Sequence, residues 1–148
     1  MKTQLGKAMI FLRLKSRDKE GIINELLDNL AASGKLPDRE AAHCAVMERE
    51  HKMSTGLKNG IGIPHGKTNT VDGLVACLGI SDYPVEFESQ DGQPCRIFIM
   101  TISRSDKTGP HLELLSEISM LLKSDERRAA ILEAATPDEV WRILFAEK

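Results

Sequence analysis

No stretch of this sequence approaches the roughly 20 apolar residues that a bilayer span needs; its apolar runs are as short as Ile97 to Met100. A membrane-crossing helix is therefore not expected. Near the N-terminus, Met9 to Leu12 is cut off by Arg13 and Lys15, and no small-residue cleavage site follows, so a secretory leader is not expected and the protein is assigned to the cytoplasm. An excess of charge of one sign is also missing: 20 Lys and Arg stand against 22 Asp and Glu, a net charge of -2. That balance speaks against nucleic acid and against a polybasic membrane surface, and any partner must be recognised locally. Cysteine is scarce. Cys44, Cys77 and Cys95 are odd in number, far apart and without a C-x-x-C pair, which excludes a zinc ribbon or redox motif and predicts reduced, buried thiols. Internal repeats and low-complexity tracts are absent. What is left, 148 residues that are 41% apolar and 28% charged, is the composition of one globular domain with one core.

Ala8 to Leu14 reads as a strand. From Asp18, the apolar positions Ile22, Ile23, Leu26, Leu27 and Leu30 keep helical spacing until Gly34, a C-cap candidate. Pro37 and Asp38 open a second helix reaching about Met53, with an inward stripe expected at Ala42, Ala45, Val46, Arg49 and Met53. Leu74 to Ile80 and Arg96 to Ile102 read as further strands, joined through Tyr83-Pro84 and Asp91-Gly92, which have turn chemistry. A helix is expected from Thr108-Gly109-Pro110 through Leu112, Leu115, Ser119 and Leu122. Another begins at the capping box Thr136-Pro137-Asp138-Glu139, ahead of Val140, Trp141 and Leu144. Strands interleaved with helices predict an α/β class, a single layered domain over residues 1–148. Met9, Met47, Met53, Met100 and Met120 are expected to fill gaps in its core.

The segment from Ser54 to Thr70 holds the chemistry. Four of the chain's 11 glycines, Gly56, Gly60, Gly62 and Gly66, surround Ile63-Pro64-His65. Glycine permits positive φ and close backbone approach, and proline fixes φ and restricts its predecessor, so the pair poses one side chain, His65. An imidazole that is uncharged near neutral pH is a nucleophile fit for reversible phosphoryl capture; taken alone, a turn histidine with no task is the alternative. Gly66-Lys67-Thr68 imitates the end of a nucleotide P-loop, but the position that needs the first glycine is Ile61, and Pro64 lacks an N–H to aim at phosphate. GxGxxG is absent too, so nucleotide is not expected.

Arg49 shares the apolar face of the second helix, where a guanidinium needs an anion. Phosphate oxygens, a local glutamate or a stem reaching back to water would each satisfy it. His111 follows Pro110 in the first turn of a helix, where free N–H groups and the dipole favour anions and oppose imidazole protonation; a histidine there can also be idle. His43 and His51 are expected to be solvated. A zinc site from His51, His65 and His111 lacks ligand spacing, and no metal is expected.

Glu48-Arg49-Glu50, Ser54-Thr55-Gly56, Asn59-Gly60, the I-G-I-P-H-G run of Ile61 to Gly66, and His111-Leu112 together resemble one family. It is the enzyme IIA domain of the fructose/mannitol class of the bacterial phosphoenolpyruvate-dependent sugar phosphotransferase system, which includes the nitrogen-regulatory phosphocarriers. The resemblance covers nearly the whole chain and implies a mixed β-sheet flanked by helices on both faces. It further implies that His65 is phosphorylated on Nε2 by the histidine-containing phosphocarrier protein, and that the group moves on to a cysteine of a IIB domain. Arg49 and His111 match positions beside that histidine, and Thr55 would put a hydroxyl near the phosphoryl oxygens. Gly62 stands where the family commonly has alanine. No cofactor is implied. Two roles remain open, sugar uptake or control of partner proteins by phosphorylation state.

Overall fold

A computed structural model describes residues 5–106 and 108–145, so the ends of the expected 1–148 domain lie outside the described residues. A 3-10 turn at Lys7–Met9 leads into β1 (Ile10–Leu14), so the first strand starts two residues later than its apolar run. Helix α1 (Lys19–Ala32) begins where the Asp18 carboxylate accepts the Gly21 N–H. It ends in a Schellman motif: Gly34 takes a φ of 76°, its N–H reaches Ala31 O, and Lys35 N–H reaches Leu30 O. Its five apolar positions, Ile22, Ile23, Leu26, Leu27 and Leu30, are fully buried, each contributing about 1.5–3 kcal/mol. Asp38 caps α2 (Arg39–Lys52) in the same way, accepting from Ala41 N–H.

The sheet runs β1, β4 (Leu74–Val85), β5 (Cys95–Ser103) and then two short strands end to end, β2 (Ile61–Gly62) and β3 (His65–Lys67). β4 and β5 are antiparallel, whereas β1 on β4 and β2 and β3 on β5 are parallel, which makes the sheet mixed. Ala76 to Ser81 and Ile97 to Ser103 are buried without alternation, the pattern of central strands covered on both faces. Three further helices follow among the described residues: α3 (Thr108–Leu121), α4 (Asp125–Glu133) and α5 (Pro137–Phe145). At α5 the Thr136 hydroxyl accepts the Glu139 N–H, while Glu139 reaches back to Ala135 N–H. The α/β layered class with a mixed sheet is the one expected.

Several local expectations change. Tyr83-Pro84 is not a turn but part of β4, at a register shift between Ile80 and Val85 where the missing proline N–H interrupts nothing. The Asp91-Gly92 turn stands, with Gly92 at a φ of 73°. The core face of α2 is Ala42, Val46 and Glu50. Ala45 and Arg49 lie half-buried beside it, and Met53 is 70% exposed because the helix stops at Lys52 and Met53 leaves its surface. Met120 is 71% exposed as well, so of the five methionines expected inside only Met9 and Met100 are buried, with Met47 packed at the margin. In α3 the buried series is His111, Leu114, Ile118 and then Leu122, and Leu112 and Ser119 point outward. Cys77 and Cys95 are buried free thiols, while Cys44 is exposed on α2.

Two glycines of the functional loop are required for different reasons. Gly60 holds a φ of 77°, which only glycine adopts without strain. Gly66 lets α2 lie directly on β3: a Cβ there would sit 2.7 Å from both the Ala45 carbonyl carbon and the Val46 nitrogen. Backbone cannot swing aside as a side-chain tip can. Gly66→Ala should therefore lower unfolding free energy by about 1–3 kcal/mol in urea denaturation. An unchanged midpoint would show that the helix is not seated this closely.

Candidate functional site

His65 opens β3, held by a backbone that turns at Ile63-Pro64 between two strands paired to β5. Its Nδ1 lies 2.8 Å from the carbonyl oxygen of Ile63. A carbonyl can only accept, so Nδ1 carries the proton and the neutral ring keeps its lone pair on Nε2. Burial pushes the His65 pKa down; the Ile63 hydrogen bond and Glu50 oppose this, and the positive charges of Arg49 and Lys67 add to it. At neutral pH the ring is uncharged.

The register of β3 on β5 sets His65 beside Thr101, and α3 lays His111 against both. The two imidazole centroids are 5.0 Å apart with planes tilted 39°, and His111 Nδ1 is 2.9 Å from the Thr101 hydroxyl. Burial first, then the neighbouring His65 and Lys67, depress the His111 pKa to about 4. Arg49 stands on the last turn of α2, where one guanidinium nitrogen donates to Met53 O at 2.7 Å, an anchor that ties the side chain to the end of its own helix. Arg49, Lys52, His65, Lys67, His111 and Leu112 line one open cleft of about 480 Å³. Three of the four sequence-predicted residues thus share a cleft in which cationic side chains surround an imidazole.

Thr55, the fourth, does not line it. Its hydroxyl and N–H both donate to the Glu50 carboxylate, at 2.5 and 2.9 Å, and its carbonyl accepts the Ile63 N–H at 3.0 Å. His51 is exposed and His43 half-buried on α2, and among the described residues no cluster of three His, Cys, Asp or Glu is spaced for a metal ion.

Sequence reasoning named Glu50 only as part of a motif. The residue is buried, its carboxylate meets Lys19 Nζ at 2.8 Å, and Lys19 also reaches Glu88 at 3.0 Å. Burial alone would raise the Glu50 pKa; the bonds from Lys19 and Thr55 outweigh it and lower it. The signal was available, since Ala42, Val46 and Glu50 form one i, i+4, i+8 row. Thr101 was hidden in an apolar strand run. Gly62 also has a local cause: a Cβ would meet the Phe98 ring at 3.0 Å and the Phe87 ring at 3.3 Å.

The model of the phosphoenolpyruvate-dependent sugar phosphotransferase system EIIA 2 family matches residues 3–147. The chain belongs to that EIIA 2 family. It is 39% identical over 140 residues to the fructose-specific EIIABC component of Bacillus subtilis, covering 95% of this chain but only 22% of that longer protein. It is 34% identical to the fructose-specific EIIA component of Haloferax volcanii, covering 92% of this chain and 88% of the relative. The crystal structure of the nitrogen regulatory protein IIA-Ntr from Neisseria meningitidis superposes with a TM-score of 0.83 at 26% identity, covering 97% of each chain. Among the described residues of this EIIA 2 chain, no helix is long and apolar enough to cross a membrane.

The depressed histidine gives a pH signature. His111 is neutral in the fold until about pH 4, whereas the unfolded ring protonates near 6.5. Between those values the unfolded chain binds the extra proton, so stability is complete above about pH 6.5 and falls as pH drops toward 4. His111→Gln should remove on the order of 2–3 kcal/mol of that loss in urea unfolding at pH 7 and pH 4. Equal losses in both proteins would place the ring in a more solvated setting.

Proposed function

We propose that this chain is a phosphocarrier: His65 Nε2 accepts a phosphoryl group from the histidine-containing phosphocarrier protein and hands it to a cysteine of a IIB domain. The observation that carries the reading is the hydrogen bond from His65 Nδ1 to the Ile63 carbonyl, which leaves the nucleophilic lone pair on Nε2. The lone pair attacks phosphorus in line, the donor's P–N bond breaks, and its electron pair returns to the donor's ring nitrogen. No proton has to leave Nε2. Attack brings positive charge onto the ring, and Nδ1–H shares it with the Ile63 carbonyl. Arg49 and the His111 N–H stabilise the charge spread over the equatorial oxygens, aided by the start of α3. Thr55 serves by fixing the Ile63 segment through its carbonyl, with Glu50 holding Thr55 from behind.

The reading takes residues 1–148 as one EIIA 2 domain working in the cytoplasm, without nucleotide, metal or membrane insertion. Similarity to the Haloferax volcanii fructose-specific EIIA component along 88% of its length favours a place in sugar uptake of the fructose/mannitol type. A second reading, control of partner proteins by phosphorylation state, draws on the likeness to the Neisseria IIA-Ntr fold. Label chased from the phosphorylated chain to the cysteine of a fructose-type IIB domain supports uptake; label that stays on the chain supports regulation.

Incubation with labelled phosphoenolpyruvate, enzyme I and the phosphocarrier protein should label the wild type and leave His65→Ala blank. Label on the alanine variant would move the acceptor elsewhere, with His111 the first suspect. Arg49→Ala should fold normally and accept label about 10²–10³-fold more slowly, the scale of losing one preorganised charge-stabilising group. Transfer at the normal rate would exclude its role.

A further inference from the structure

Thr101 is 1% exposed, near the end of β5, paired in register with His65 and hydrogen-bonded to His111. Its N–H donates to the carbonyl of Pro64, the residue before His65, at 3.2 Å, and its hydroxyl meets His111 Nδ1 at 2.9 Å. The hydroxyl–imidazole contact can be made in two ways. If His111 Nδ1–H donates, the hydroxyl proton must find another acceptor, and His111 is the partner the structure gives that hydroxyl. A buried donor is left unsatisfied. If the hydroxyl donates, its proton is used, Nδ1 is the acceptor, and the ring proton sits on Nε2. The second arrangement leaves only spare lone pairs on the threonine oxygen, the lesser defect. Nε2 is then the ring's remaining polar atom, in a side chain that lines the cleft beside His65.

We infer that Thr101 is a positioning residue that fixes His111 as the Nε2–H tautomer, so that a neutral imidazole presents a donor to the phosphoryl oxygens. The inference rests on the phosphocarrier reading for its consequence, but not for its structural content. The two histidines are set in opposite states by two different acceptor and donor groups: the Ile63 carbonyl takes the proton side of His65, and the Thr101 hydroxyl gives to the bare side of His111. One ring thereby offers a lone pair from Nε2 and the other a proton from Nε2. A neutral donor binds the group without trapping it as an imidazolium would, which suits a carrier that must release it again.

Nitrogen-15 NMR of the unphosphorylated wild type distinguishes protonated from bare ring nitrogens and should show His111 protonated on Nε2 with Nδ1 bare. Thr101→Val keeps the size and the backbone N–H, and should give a mixture of His111 tautomers and about tenfold or slower phosphoryl acceptance. Thr101→Ser should restore both. In a His111→Ala background, Thr101→Val should add no further loss, because Thr101 acts through that ring. A wild-type His111 protonated on Nδ1 would overturn the inference without any variant. So would a valine variant that keeps the tautomer or the rate, or one that slows transfer equally when His111 is absent. Because the tautomer is read before any phosphorylation, a chain that never takes label sinks the carrier reading while this measurement still decides for or against Thr101.

Discussion

The hydrogen bond between His65 Nδ1 and the Ile63 carbonyl is the constraint on which the site depends. A free histidine exchanges tautomers and rotates; this one is held by an acceptor only two residues away, so the acceptor must itself be immobile. Its immobility comes from three directions. The Ile63 N–H is fixed by the Thr55 carbonyl, the Pro64 carbonyl by the Thr101 N–H, and Gly66 is pressed against the backbone of α2. Thr101 and α2 belong to elements anchored in the core, and Thr55 is itself held by Glu50 of α2.

The support behind Thr55 is an ion pair between Lys19 and Glu50, with side chains 17% and 2% exposed. Such a pair gains little over apolar packing, but removing one partner leaves a buried charge unmatched. Here its effect is geometric, because Glu50 also accepts both donors of Thr55 and so links α1 to the segment that carries Ile63. The charge also works at a distance, since Glu50 partly offsets the cationic neighbours of His65. Arg49, Lys52 and Lys67 line the cleft together with Glu48, and Glu50 and the Ile63 carbonyl temper the fall in the His65 pKa that burial and the cations produce.

Much of this was readable from residue order. The period of Ile22 to Leu30, the helix starts at Asp18 and Asp38 and the Thr136 box marked three helices, because end signals and apolar spacing are local properties. His65 was legible because glycine and proline advertise a posed side chain. Errors arose where three-dimensional partners decide. The face of α3 was misjudged by about one position, since Leu112 and His111 are both tolerable inside and only the packing on β5 selects His111. The Pro84 bulge was read as a turn because a proline inside a strand depends on register, which one strand alone does not encode. Thr101 and Ile63 were invisible as functional groups, one a hydroxyl in an apolar run and the other a main-chain carbonyl with no side-chain signature.

The break between β2 and β3 has a consequence for how other molecules can approach. The carbonyls of Gly60 and Pro64 turn toward β5, which leaves the alternate groups of Ile61 and Ile63 on the outer rim of the sheet. A rim of that kind ordinarily invites another chain to add a strand. Here Leu57 takes the Ile61 carbonyl, Thr55 takes the Ile63 amide, and the imidazole itself takes the Ile63 carbonyl. The His65 ring therefore doubles as a hem on the fabric, and visitors to this border meet a shaped hollow rather than an open row of main-chain hooks.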